Sequence, residues 1–420
     1  MKTNMRHLEK LIWVVLLNSL CLSAQANETD FPFTWDGTLY AYSNSMKLNS
    51  DSVLNPGNYM AKLAQRTDAA EARFNIKMEN YSLRLSGRPI LVTQQDRNAF
   101  GETNRSEGYF SQWQARWKTS ETLALSGGRE LLNWGPAQFR SPSNPFYFNN
   151  GRNNPMAELS GMDAARLSWS PDVSTSVYIA RIFDSGYGHT EPDPWSDSWL
   201  IKADWRGEES AVGLALVKQS QQSLFVGAHA QETIADAWLL YTEAGSYTLP
   251  NLLISSPDVN QSFFEEAESP RRTDILAGAS YTFENGQTFY AEYLRYDHGF
   301  DVAESSAYFG RTASASSAFP TGKAIPVLVK ALAYAPSLLG RDYLYFVWQS
   351  NLMESSGFSR LMFTHNLTDS SNQVSGYSEY TVSPHLSAFA MATFNDGGAQ
   401  REFARFFEQM LILGFKIALP

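Results

Sequence analysis

The chain has 420 residues, a formal net charge of −10 at neutral pH and a single cysteine beside 11 Trp, 20 Tyr and 26 Phe. An acidic balance argues against nucleic acid as a partner, and one thiol, Cys21, leaves no disulfide and no metal–thiolate site. The length suits one large domain, and no composition break or internal repeat marks a second.

At the N-terminus Lys2, Arg6 and Lys10 precede an apolar run from Leu11 to Leu22, and Ala24-Gln25-Ala26 follows. This order reads as a signal peptide over residues 1–26 and a mature chain over 27–420. Beyond residue 26 no run of about 18 apolar residues offers a spanning helix. The texture is instead one of short segments with alternating polarity, separated by polar turns. Such segments of about 10 residues predict an all-β protein, a transmembrane antiparallel β-barrel, because only helices and closed barrels satisfy their backbone in lipid.

In chain order the segments are joined by short turns at Glu79–Tyr81, Lys118–Thr122, Ser170–Ser174, Arg206–Ser210, Glu232–Ala235, Glu284–Gln287, Met353–Gly357 and Ser383–His385. The connections between them are Met46–Asp68, Pro89–Glu107, Gly135–Ser160, Asp184–Asp197, Gln219–Ser223, Gly245–Arg272, Gly299–Arg341, Leu367–Asn372 and Asn395–Phe407. The count is about 18 strands, with 16 possible, in the pattern of short periplasmic turns and long extracellular loops. The longest loops fall near 135–160, 245–272 and 299–341. Three segments show the phase. In "SWLIKADW" Trp199, Ile201, Ala203 and Trp205 face lipid, against Lys202 and Asp204. In "GFSRLMFTHN" Leu361 and Phe363 oppose Arg360, Thr364 and Asn366. In "QMLILGFKIALP" Leu411, Leu413, Phe415, Ile417 and Leu419 share the lipid face, and Lys416 points inward.

The segment "LALSGGRELLNWGPAQFRSPSNPF" places Leu123 and Leu125 toward lipid and then meets adjacent charges, Arg129 and Glu130. Gly127-Gly128 allows a bulge that re-aims the side chains beyond it, so that one charge turns to the lumen and the other to the rim. Trp134 is expected among the interfacial aromatics. The Pro- and Asn-rich loop that follows carries Arg140 and Arg152, and it either constricts the lumen or caps the mouth. The apolar run "AIPVLVKALAYAPSLLG" in the 299–341 loop needs cover from water, by packing on other loops, by plugging the lumen as a short helix, by covering the barrel rim or by contact with an amphiphilic solute.

"GRELLNWGPAQFRSPSNPFYF" followed by "GMDAARLSWSP" resembles a stretch of large single-chain outer-membrane porin-like barrels, similar in plan to the alginate-export and capsule-assembly barrels. The resemblance covers roughly residues 123–171 and implies an outer loop that folds over or into the lumen and carries selectivity.

The inward phase predicts a basic wall of Arg73, Lys77, Arg84, Arg116 and Arg166, opposed by Glu243, Glu292 and Glu379. Such a pair of walls gives a transverse field, unless the charges simply pair with one another. No HExxH, GxSxG, Ser-x-x-Lys, Walker or dinucleotide pattern is present, so neither an enzyme nor a cofactor or metal site is expected. The expected function is a porin-like outer-membrane channel for small polar or anionic solutes. The alternative is a structural or surface-binding barrel with a loop-closed lumen, associated with capsule or polysaccharide. Expected partners are outer-membrane lipid, the barrel-insertion machinery, which would read Phe415 in the last strand, and a small-molecule or oligosaccharide solute.

Overall fold

The computed structural model describes residues 32–187, 195–220, 223–256, 258, 264–351 and 356–419. The expected signal peptide lies outside the described residues. Eighteen strands form one antiparallel sheet. They are β1 (Phe33–Leu48), β2 (Arg66–Glu79), β3 (Leu83–Asn98), β4 (Gly101–Lys118), β5 (Leu123–Glu130), β6 (Met162–Trp169), β7 (Thr175–Ser185), β8 (Ser198–Arg206), β9 (Ser210–Gln219), β10 (Phe225–Ala235) and β11 (Trp238–Tyr247), and, after a loop hairpin of β12 (Leu252–Ile254) and β13 (Glu265–Ala267), β14 (Arg272–Thr282), β15 (Thr288–Arg295), β16 (Asp342–Gln349), β17 (Gly357–Asn366), β18 (Asn372–Ser383), β19 (Leu386–Asp396) and β20 (Phe407–Leu419). The sheet closes on itself where β1 pairs with β20, Ala41 opposite Phe415. Closure removes both edges and leaves no unpaired strand toward lipid.

The alternation works as polarity demands. Leu411, Leu413, Phe415 and Ile417 are 45%, 52%, 56% and 41% exposed on the outer wall, while Lys416 reaches Glu379 at 3.2 Å inside. Trp199, Ile201 and Trp205 likewise stand outward, with Lys202 between them buried. A continuous exposed apolar wall has its natural solvent in hydrocarbon.

Two expected connections differ. No long loop spans Pro89–Glu107: β3 and β4 stay paired as far as Asn98 and Gly101, leaving Ala99 and Phe100 as the turn. Polar residues on both faces of "TQQDRN" and "ETNRSE" resist lipid, but they do not resist pairing, so the hairpin continues as a ladder. The turn expected at Glu232–Ala235 falls instead at Asp236-Ala237, between β10 and β11.

The loop between β15 and β16 forms two helices, Val302–Ser317 and Ala324–Ala333. Asp301 and Glu304 make a capping box at the start of the first. The apolar run of the second buries Val327, Leu328 and Ala331 against Tyr308, Phe309, Leu253, Phe264 and Leu54, so it packs on neighbouring loops. Glu402 ties its own loop to the 299–341 loop and to the ends of β16 and β17. It accepts the N–H groups of Leu339 (3.0 Å) and Gly340 (3.2 Å), the Asn366 amide (2.8 Å) and the Tyr343 hydroxyl. Burial pushes its carboxyl above the usual range.

Candidate functional site: a loop folded into the barrel

After Glu130 the chain leaves the wall and returns only at Met162. Gly128 sits at φ +149, and a Cβ there would meet the Trp113 carbonyl at 2.1 Å, so the departure requires glycine. Arg129 fills the gap. It donates to Asp163 through Nε (2.8 Å) and Nη2 (3.2 Å), and to the Phe110 carbonyl through Nη1 (2.8 Å). Glu130, also buried, receives Arg166 at 2.7 Å. Each residue of this pair therefore binds β6, and neither takes the rim position expected for one of them. Trp134 is likewise no interfacial residue: the departing strand carries it inside, 6.1 Å from Phe146, with the Lys202 ammonium 5.4 Å from its ring.

The loop is then fastened to the inner wall by two carboxylates. Glu243 on β11 accepts the Ala137 N–H (2.8 Å) and the hydroxyls of Ser141 (2.5 Å) and Ser143 (2.7 Å). Glu292 on β15 accepts the N–H groups of Gln138 (2.6 Å) and Phe139 (2.8 Å) and the Tyr241 hydroxyl (2.6 Å). Proline at 136, 142 and 145 prevents this segment from satisfying its own backbone as a helix, so its donors need outside acceptors. Each such hydrogen bond is worth roughly 0.5 to 1.5 kcal/mol net, and leaving a buried donor unpaired costs about 1 to 3 kcal/mol. Close approach is possible because β10 and β11 present glycine: a Cβ at Gly227 would lie 2.2 Å from the Ser143 carbonyl, and one at Gly245 would lie 2.0 Å from that of Pro142.

The far end of the loop crosses to the opposite wall. Glu158 binds Arg88 at 2.6 Å and Arg73 at 3.4 Å, and Arg73 also donates to the Met156 carbonyl at 3.1 Å. Met156 packs on the buried cluster of Tyr377, Phe389 and Met391.

This geometry redistributes the expected charges. Glu243 and Glu292 are 0% and 3% exposed beneath the loop and do not form an acidic face toward passing solute. Glu379 pairs with Lys416. On the basic side Arg73 is held by Glu71 at 2.8 Å, Lys77 and Arg84 share Glu79 at 2.6 Å each, and Arg166 is bound to Glu130. Arg116 is exposed, level with Arg84 across β3 and β4.

What the loop turns outward is basic. Arg152 donates to the Ala137 carbonyl at 2.8 Å, Arg360 of β17 to the Gln138 side chain at 3.2 Å, and Arg140 to the Phe139 carbonyl at 2.9 Å. Three guanidinium groups thus bracket the residues 137–140 that the two buried acids hold from behind. Among the described residues neither Arg152 nor Arg360 has a carboxylate within ion-pair distance, and the buried Nε of Arg360 has no partner. Arg360 was legible in sequence as inward-facing, but nothing local joined it to a loop more than 200 residues away, at a separation of 222. Arg88 and Glu158 carried no signal beyond charge, and Asp163 was marked only by its place in the segment "GMDAARLSWSP". Beneath the loop, Trp134, Arg152, Asp204, Arg206 and His229 line a cavity of about 590 Å³.

OccK11 (OpdR) of Pseudomonas aeruginosa superposes with a TM-score of 0.52 at 12% identity, over 92% of this chain and 96% of its own. The fold is a porin-type barrel. OccK5 (OpdH) of the same organism gives 0.50 at 9% identity, over 92% and 98%. A mutant of the Rhodopseudomonas blastica porin aligns over 92% and 100% at 10% identity, with a TM-score of 0.45. No family model matches the sequence, and no curated protein does.

Proposed function

We propose that the protein is an outer-membrane channel whose inward loop sets a basic constriction for small polar or anionic solutes. The observation that carries this reading is the two-sided loop: the N–H groups of Ala137, Gln138 and Phe139 go to Glu243 and Glu292, while Arg140, Arg152 and Arg360 bind the carbonyls and side chain of the same segment from the other side. A guanidinium some 4 Å from a passing ion contributes roughly 4 kcal/mol at an effective dielectric of about 20, before screening and hydration. On this reading the long loop and the buried acids serve permeation, and the chain is read as a non-enzyme. Its lipid-facing wall supports an outer-membrane location, reached through the insertion machinery.

The test is a planar-bilayer measurement of conductance and reversal potential on folded protein. Wild type should conduct with anion preference, and Arg140→Ala with Arg152→Ala should lower that preference most at low salt, where screening is weakest. A second reading, a closed capsule- or polysaccharide-associated surface barrel, draws on the loop's attachment to both walls through Glu292 and Arg88. Folded protein without conductance would select it.

A further inference from the structure

The inward loop meets the wall in two chemically different ways. Toward β7–β9 it is sealed by an apolar cluster in which Leu132, Trp134 and Phe146 join Ile182, Leu200 and Val217. Toward β14–β17 Ala137 and Phe139 join Leu276, Tyr345 and Met362, and toward β18 and β19 Met156 packs on Tyr377, Phe389 and Met391. Among the described residues none of the buried apolar clusters includes a residue of β2–β5. There the loop is held by polar contacts centred on Glu158. Its carboxylate accepts from Arg88 through Nε (2.6 Å) and Nη2 (2.9 Å), from the Ser111 hydroxyl (3.0 Å) and from Arg73 (3.4 Å). Gln112 adds a donor to the Leu159 carbonyl at 3.2 Å.

On the short-turn side of this contact the wall is hollow and polar. Arg88 lines a cavity of about 370 Å³ together with Lys77, Ser86, Gln112, Gln114 and Arg166. Beyond Glu158 on the other side, Glu71, Gln94, Asp96 and Glu107 lie in the same inward phase of β2, β3 and β4. An apolar seal excludes water and ions, whereas hydrogen-bonded contacts exchange for water at little cost. Resting on the channel reading above, we infer that the inner face of β2–β5 is a second aqueous passage, separate from the one beside Arg140, Arg152 and Arg360, and that Glu158 is the latch that closes it. Release exchanges polar contacts for water and leaves the loop's hold on Glu243 and Glu292 intact. It also bares Arg88, so the opened passage favours anions.

The experiment compares single-channel records of wild type and Glu158→Ala in planar bilayers, with heat-modifiable gel migration to establish that each is folded. The variant should show an added conducting level, its open-to-closed ratio raised at least about tenfold by the loss of charge-assisted hydrogen bonds. Glu158→Gln should act in the same direction, and it replaces Glu158→Ala if that variant does not fold. Route is tested with a charged methanethiosulfonate, since the only cysteine, Cys21, lies in the expected signal peptide. In the Glu158→Ala background, modification of Ser86→Cys should abolish the added level. Ala215→Cys, beneath the apolar seal on β9, should be left unmodified and the level kept. Wild-type records from folded Glu158→Ala, or an added level that survives modification of Ser86→Cys, overturn the inference and leave the channel reading standing. A silent wild type beside a conducting Glu158→Ala keeps this passage and overturns the open constriction. Absence of conductance in both overturns both.

Discussion

Arg129 and Asp163 face each other across β5 and β6 at the point where β5 abandons the wall, guanidinium and carboxylate meeting through two hydrogen bonds of 2.8 and 3.2 Å. Breaking a buried pair from one side leaves the other charge uncompensated, at a cost of about 3 to 5 kcal/mol. Arg129→Ala and Asp163→Asn should each lower the temperature at which unheated protein shifts to its unfolded position on a gel. Arg129→Lys should not restore it, because an ammonium cannot span Asp163 and the Phe110 carbonyl together. Wild-type heat stability in Arg129→Ala would contradict this role.

Glu292→Gln offers one acceptor oxygen where the loop presents the N–H groups of Gln138 and Phe139 and neighbouring β11 presents the Tyr241 hydroxyl. An unsatisfied buried donor costs about 1 to 3 kcal/mol, enough to populate a detached loop. Single-channel records should show larger and noisier conductance, with the barrel still heat-modifiable. Unchanged current traces would place the constriction elsewhere.

Gly245→Val should act in the same direction for a steric reason, since its Cβ would fall 2.0 Å from the Pro142 carbonyl. The expected outcome is faster proteolytic cleavage within residues 131–161 in detergent-solubilised protein, with gel migration of the uncut barrel unchanged. Equal cleavage rates would show that the loop does not need this contact.

Removing the third guanidinium, by Arg360→Ala, should lower anion preference about as much as either loop arginine alone, because all three bracket the same short segment. Reversal potentials at low and high salt check this, and the difference should shrink as salt rises.

Phase can be tested on the last strand. Phe415→Asp puts a carboxylate on the lipid face, where it costs about 1 to 3 kcal/mol near mid-membrane, and should reduce the amount of assembled barrel. Lys416→Gln, on the lumen side, loses only the 3.2 Å pair with Glu379 and should assemble normally. Equal loss in both would contradict the assignment of Phe415 to lipid and Lys416 to the lumen.

The sequence by itself determined the barrel. Alternation with period two is local, so Leu413, Phe415 and Ile417 declare their side within one strand, and with lipid outside there is only one way to face them. Strand number followed from the turns for the same reason. Closure of β20 on β1 then follows from the need to satisfy every backbone group in lipid. The path of residues 131–161 was not local in this sense. Its direction is set by hydrogen bonds to Glu243 and Glu292 from residues 106 and 154 positions away, and those acids reach it only because the curved wall brings β11 and β15 to the loop. Glu243 and Glu292 read in sequence as inward acids, which they are. Whether an inward carboxylate meets water or a folded-in backbone depends on what occupies the lumen, and that was decided by Gly128 releasing the strand and by Gly227 and Gly245 leaving room for it.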